Sequence, residues 1–132
     1  MRWIKSISAM LGGLAGYIFG RLDGFIIALL IFVVIDYITG LIAAVINGEV
    51  NSEVGYKGLL KKIGIFCAVA IANVIDVYVL QDTAILRTAT CCFYIANDGI
   101  SIIENLARSG VPFPEVLKKK FEQLKGEEND SD

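Results

Sequence analysis

The stretch GFIIALLIFVVIDYITGLIAAVI, residues 24–46, decides how the rest of the chain is read. It is 23 residues long and carries one charge, Asp36. A bilayer-spanning helix needs roughly 20 apolar residues, so this stretch predicts a transmembrane helix. Working outward, Ile4 to Gly20 is a shorter, glycine-rich apolar segment, Ile63 to Leu80 a third, and Ala84 to about Ile103 a fourth and more polar one. The first sits at the lower length limit for a span and either crosses the membrane or lies on its surface.

Composition agrees with lipid as the solvent. Hydrophobic residues make up 55% of the 132 and charged residues 20%, and mean hydropathy is +0.64. A soluble domain of this size needs more polar surface to cover its core. The net charge of −2 gives no basic footprint for nucleic acid. There is no histidine, which removes the commonest general base and metal ligand. Cys67, Cys91 and Cys92 lie in apolar blocks and read as small hydrophobes rather than a disulfide or metal set. Arg2 and Lys5 precede the first segment, but no A-x-A-like cleavage site follows, so it reads as retained.

The links Arg21-Leu22-Asp23 and Gln81-Asp82-Thr83 are short and predict two tight helical hairpins. The middle loop, Asn47 to Lys62, is longer and ends in a dibasic helix start. Pro112 and Pro114 stop the fourth helix. A new amphipathic helix runs from Pro114 to about Lys125 with Leu117, Phe121 and Leu124 on one face. The expected organisation is all-α: a membrane domain of helical hairpins with three or four spans over 1–110, a cytoplasmic amphipathic helix over 111–125, and a disordered acidic tail over 126–132.

Orientation follows from cations, which are retained on the cytoplasmic side. With both termini inside, Arg2, Lys5, Lys57, Lys61, Lys62, Arg108, Lys118, Lys119, Lys120 and Lys125 lie inside and Arg21 alone outside. If the first segment does not span, the N-terminus moves outside and the C-terminus stays inside. Lys57, Lys61, Lys62, Lys118, Lys119 and Lys120 are then basic groups at the membrane surface. The protein is expected to be a multi-pass membrane protein with its C-terminus on the cytoplasmic side.

Charges inside spans cost at least ~2.5–3.5 kcal/mol each at the centre, so they point to function. Asp36 falls mid-span, Asp76 and Arg87 toward the outer side, and Asp98 toward the inner side. At about 100° per residue, Arg87, Thr90, Cys91, Tyr94, Asn97, Asp98, Ser101, Glu104, Asn105 and Arg108 fall in one sector of the fourth helix. Such a stripe faces other helices or water. It is either a seam that glues a bundle or the wall of a lumen lined by Arg87, Thr90, Tyr94, Asn97, Asp98, Ser101, Glu104 and Asn105. Across the short hairpin, Asp76 and Arg87 are placed for an ion pair.

Gly12, Gly16 and Gly20 are spaced by four, and Asp36, Gly40 and Ala43 share a face, which suits close helix packing within or between subunits. No P-loop, G-x-S-x-G or metal-ligand cluster is present. An Asp36–Asp76 catalytic dyad is the weakest of the readings, so no enzyme activity, cofactor or metal is expected.

Five stretches together carry a resemblance: Asp36-Tyr37-Ile38-Thr39-Gly40 with Ala43-Ala44; Asn51-Ser52 with Gly55, Gly58 and Lys61-Lys62; Asp76; Ile100 to Asn105; and Gly110-Val111-Pro112-Phe113-Pro114 with the Leu117 to Leu124 helix. Over about residues 20 to 125 the chain resembles the phage holin family that includes clostridial phage holins and the toxin-secretion holins of clostridia. The resemblance implies a homo-oligomer that opens the cytoplasmic membrane. The opening releases an endolysin or a toxin, a functional partner that need not touch it, for host cell lysis or secretion. Two other readings stay open: a small ion or proton channel using Asp36, Asp76, Arg87 and Asp98, and a membrane scaffold binding a protein through the last helix.

Overall fold

The computed structural model describes residues 1–126, which form five helices with no strand among the described residues. The acidic stretch expected to be disordered lies, from residue 127 on, outside the described residues. Helix α1 covers Arg2–Phe19, α2 Gly24–Ile46, α3 Ser52–Tyr78, α4 Ile85–Arg108 and α5 Glu115–Leu124.

Each helix start has a local cause. The Asp23 side chain accepts from the Phe25 and Ile26 amides and begins α2. Asn51 accepts from the Glu53 amide, and Glu53 places a negative charge in the first turn of α3. This cap corrects the expected middle loop: α3 starts at Ser52, eleven residues earlier than the apolar block, so the loop shrinks to residues 47–51. Helix α4 is capped from another helix. Asp76 of α3 accepts from the Leu86 and Arg87 amides at 2.9 and 2.7 Å, and Thr83 donates to it as well.

The helices α2, α3 and α4 pack together, with α4 in the middle of the contacts. Ile26, Leu29, Val33, Ile65, Val69 and Cys91 form the apolar core, bordered by Phe19, Phe66, Tyr94 and Ile95. The bundle is inside-out by soluble standards. Asp36, Thr39, Asn73, Asp76, Arg87 and Asp98 are buried, while Ile31, Val34, Ile38, Leu41 and Val45 of α2 are exposed. Buried polar groups that mostly bond to backbone or to one another, surrounded by outward apolar side chains, suit a lipid environment.

By length and composition, α2 and α3 are apolar enough to cross a membrane. At about 1.5 Å per residue they measure roughly 34 and 40 Å. The expected third and fourth crossings would have to come from α1 and α4. The polar stripe of α4 keeps it out of that class, yet α4 lies sheltered between α2, α3 and α5. Helix α1 contributes no buried residue and packs only against α3. The first expected hairpin is therefore corrected: α1 and α2 are joined by a short link but do not pack on one another, because α3 and α4 hold that link instead. Helix α5 packs on α4.

Candidate functional site

The centre of the polar seam is a three-residue cluster, one residue from each core helix. The Lys62 ammonium of α3 is bonded to the Asp36 carboxylate of α2 and lies 3.2 Å from Asp98 Oδ1 of α4. Asn105, two turns below Asp98, donates to Asp36 Oδ1 (3.1 Å), the Asp36 carbonyl (3.2 Å) and Thr39 Oγ1 (3.1 Å). Thr39 in turn donates to the Ile35 carbonyl. Two carboxylates thus converge on one ammonium. The second oxygen of Asp98 is buried with no hydrogen-bond partner.

The cluster forms the floor of an open cleft of about 720 Å³. Tyr94, Asn97 and Ser101 of α4 line one wall, and Tyr37, Gly55 and Gly58 line the other. Tyr37 bridges α2 to α3 by donating to the Gly55 carbonyl at 3.3 Å. The cleft opens at the end where Arg108 pairs with Glu49 at 2.5 Å and Asn47 donates to the Arg108 carbonyl. A cleft that ends on Asp36, Lys62 and Asp98 can hold water or cations, and no group of three or more metal-binding side chains occurs among the described residues.

A second polar cluster closes the opposite end. Arg87 Nη1 lies 2.8 Å from Asp23 Oδ2, Nε donates to the Phe19 carbonyl at 2.6 Å, and Nη2 donates to the Arg21 carbonyl. The guanidinium therefore ties the α1–α2 link to α4. The expected Asp76–Arg87 ion pair is corrected here: Asp76 caps the backbone of α4 and Arg87 spends its side chain on the link. Asn73 adds a bond to the Ile18 carbonyl at 2.9 Å. Gly20, at φ 86°, sits where a Cβ would lie 2.7 Å from Asn73 Oδ1 and 2.8 Å from Arg87 Nε, so only glycine fits both the space and the backbone. Burial pushes the Asp23 carboxyl up, but the Arg87 guanidinium and the Ile26 and Phe25 amides outweigh it and hold the group below its ordinary value of 3.8.

The expected site residues separate into three sets. Arg87, Asp98 and Asn105 are engaged inside the chain, and Thr90 bonds back to the Leu86 carbonyl at 2.7 Å. Tyr94, Asn97 and Ser101 line the cleft, and Glu104 is exposed. Asp36 and Asp76, the conceivable dyad, sit at opposite ends of the seam: the first meets Lys62, fourteen residues and about 21 Å along α3 from the second. Gly12 and Gly16 face open space, whereas Gly40 touches Asn105. Among the basic groups, Lys57 is exposed and pairs with Glu53, Lys61 lines the cleft, and Lys119 and Lys120 are exposed with Lys118 half-buried. Lys62 is a correction: its side chain is 16% exposed and points inward, because Asp36 and Asp98 sit directly across from it. Sequence reasoning missed Lys62, Asn73 and Asp23 as seam members. An asparagine within an apolar block was a usable signal for Asn73. Lys62 was hidden by its neighbour Lys61 at an apparent helix start.

The family model of the bacteriophage holin family matches residues 13–126 of the chain. An uncharacterised protein of Listeria monocytogenes is 43% identical over 122 residues, covering 90% of this chain and 86% of that protein. A probable holin of Bacillus phage phi105 is 40% identical over 75 residues, 57% of this chain and 53% of that protein. An uncharacterised protein of Clostridium acetobutylicum is 40% identical over 70 residues, and the match spans about half of each, 53% and 56%. No solved structure matches the chain.

Proposed function

Because the chain belongs to the bacteriophage holin family, a family of non-enzymatic membrane proteins, we propose that it assembles with copies of itself in the bacterial cytoplasmic membrane and opens a lesion there. An endolysin, or in a secretion setting a toxin, then leaves the cell through the opening without having to bind it.

The observation that carries this reading is the one-sided cleft along α4. Arg87 and Asp98 of the polar stripe are paired within the chain, with Asp23 of the α1–α2 link and Lys62 of α3, which lowers the cost of holding a single subunit in lipid. Asn97, Ser101 and Tyr94 instead face the open cleft. When subunits associate with these clefts inward, the cleft walls become lumen walls. Asp98 and Lys62 then lie at the edge of the water-filled space, with Glu104 nearer its cytoplasmic mouth. Arg87, Thr90 and Asn105 keep the helices in register. Lys61 and Arg108 at the cleft mouth, with Lys57 nearby and Lys118 to Lys120 further along the chain, support a cytoplasmic position for that end and for the C-terminus.

The test is expression of the chain alone in bacteria that also make a folded cytoplasmic reporter enzyme. Loss of the reporter enzyme to the medium is the expected outcome. Leakage of ions with retention of the enzyme would instead support the small-channel reading, which has the Asp36–Lys62–Asp98 cluster at the cleft floor in its favour. Retention of both would exclude any pore.

A further inference from the structure

Helix α1 is the one helix without a place in the bundle. On a wheel at about 100° per residue, Trp3, Ile7, Met10, Leu11, Leu14 and Ile18 fall within one third of its circumference. Arg2, Lys5, Ser6, Ala9, Gly13 and Gly16 occupy the opposite third. The apolar face is unpartnered: Trp3 is 65% exposed, Met10 74% and Leu14 57%. The small face is equally open, with nothing near Gly12, Gly13 or Gly16.

The contact of α1 with α3 fixes how it leaves the bundle. The Tyr17 ring meets Tyr78 and the Phe19 ring meets Phe66, with centroids 6.1 and 6.4 Å apart. Between them Asn73 donates to the Ile18 and Tyr17 carbonyls. Tyr78 and Phe66 are twelve residues apart, about 18 Å along α3. Side chains from opposite flanks of α1 reach these two points, so α1 crosses α3 instead of running alongside it. The crossing lies about 8 Å from the α3 C-terminus, since Asn73 is five residues from Tyr78.

We propose that α1 lies in the plane of the outer membrane–water interface, with its Trp3–Ile7–Leu14 face in the acyl boundary and its partner a lipid headgroup surface. This rests on the membrane reading above, in which the α1–α2 link is at the outer end. The chemistry of the face fits that occupant. An interfacial helix buries an apolar face by about 5–10 Å and keeps cations on the other. Tryptophan is favoured at headgroup level. Arg2, Lys5 and, in the link, Arg21 supply positive charge to phosphates. As a span, α1 would be about 27 Å long, at the lower limit for a hydrocarbon core of about 30 Å, and would hold two cations in its first two turns. The crossing helices are then α2, α3 and α4, an odd number that puts the termini on opposite sides.

The test uses the full chain, with Cys67, Cys91 and Cys92 replaced by Ala, in vesicles of phosphatidylglycerol and phosphatidylcholine. Single nitroxide-labelled cysteines go at 7, 11 and 14, at 6, 9 and 13, and at 31 and 38 on α2. Labels at 7, 11 and 14 are expected to meet oxygen and share one shallow depth, while those at 6, 9 and 13 meet a water-soluble nickel chelate. A depth that changes by about 10 Å from 7 to 14 means a span and overturns the proposal. So does shielding of 6, 9 and 13 from both reagents, which would put a second helix on the glycine face. Labels at 31 and 38 are expected in lipid. If they meet the nickel chelate instead, the membrane reading itself fails and the proposal with it.

Discussion

Lys62 Nζ lies 3.2 Å from Asp98 Oδ1, thirty-six residues along the chain, and also binds the Asp36 carboxylate on the third core helix. One side chain therefore joins α2, α3 and α4 in the interior of the bundle. Removing one partner from a buried ionic group leaves uncompensated charge, at a cost of roughly 3–5 kcal/mol. Lys62→Met should lower thermal stability in detergent by about 3 kcal/mol, the low end because the cleft admits water. Asp98→Asn in the same background should restore part of the loss. A double variant no more stable than Lys62→Met would show that the carboxylates do not oppose each other.

The stripe of α4 makes a separate prediction about water. Single cysteines at 97 and 101, in a background without native cysteine, should react quickly with a charged thiol reagent from the cleft-mouth side. Cysteines at 96 and 102, which occupy buried positions, should be spared. Asp98→Leu should still insert but fail to release the reporter enzyme, since an apolar group would replace a polar group at the floor of the cleft. Uniform labelling around α4, or full release by Asp98→Leu, would leave the stripe as a structural seam alone.

Arg87 and Asp23 hold the α1–α2 link, and acid should loosen it. A carboxyl whose value is lowered by folding stabilises the fold above its unfolded value and loses that contribution as pH falls through the folded one. A spin label at position 22 should stay immobile from neutral pH down to about 3.8 and become mobile only below it, where Asp23 takes up a proton. Asp23→Asn keeps a helix cap but loses the charge, so its label should be mobile at all pH values. Arg87→Lys should loosen the link too, because one ammonium cannot replace the three-way guanidinium fork.

Phe121 seats α5 on α4 directly over Gly99, where a Cβ would fall 2.8 Å from the ring. Its edge also meets Phe32 of α2, with centroids 5.7 Å apart. Gly99→Ala should push the ring off at about 1–3 kcal/mol, the usual cost of overpacking. Hydrogen exchange over 115–124 should then speed up while α2 and α3 stay protected. Unchanged protection would mean that α5 is held by its other contacts. Phe121 is half-buried by this docking, whereas Leu117 and Leu124 of the same face stay exposed, which leaves the scaffold reading a surface.

Topology follows from the charge distribution and is checked from outside. A cysteine at position 55, beside the cleft mouth, should be protected from an impermeant reagent added to intact spheroplasts. Labelling there would reverse the orientation argued from Lys57, Lys61 and Arg108.

The sequence by itself determined the helical class, the bounds of α2 and the polar sector of α4. Each is a local or periodic property: unbroken apolar length or recurrence every 3.6 residues. The stop expected at Pro112 and Pro114 comes earlier, at Arg108, where Gly110 at φ 82° closes the last turn of α4. The sequence also identified Asp36 and Asp98 as residues that need company in lipid. Their partner was decided only by the tertiary structure. Lys62 reads in sequence as half of a surface dibasic pair, and nothing local turns it inward. Asn51 caps α3 early, so Lys62 lies inside the helix, where it meets carboxylates 26 and 36 residues away. The same holds for Arg87, whose nearest acid across the hairpin, Asp76, is already taken up by the amides of α4. Long-range pairing depends on which helices become neighbours, and loop length alone did not specify that: α1 adjoins α2 in sequence yet rests on α3.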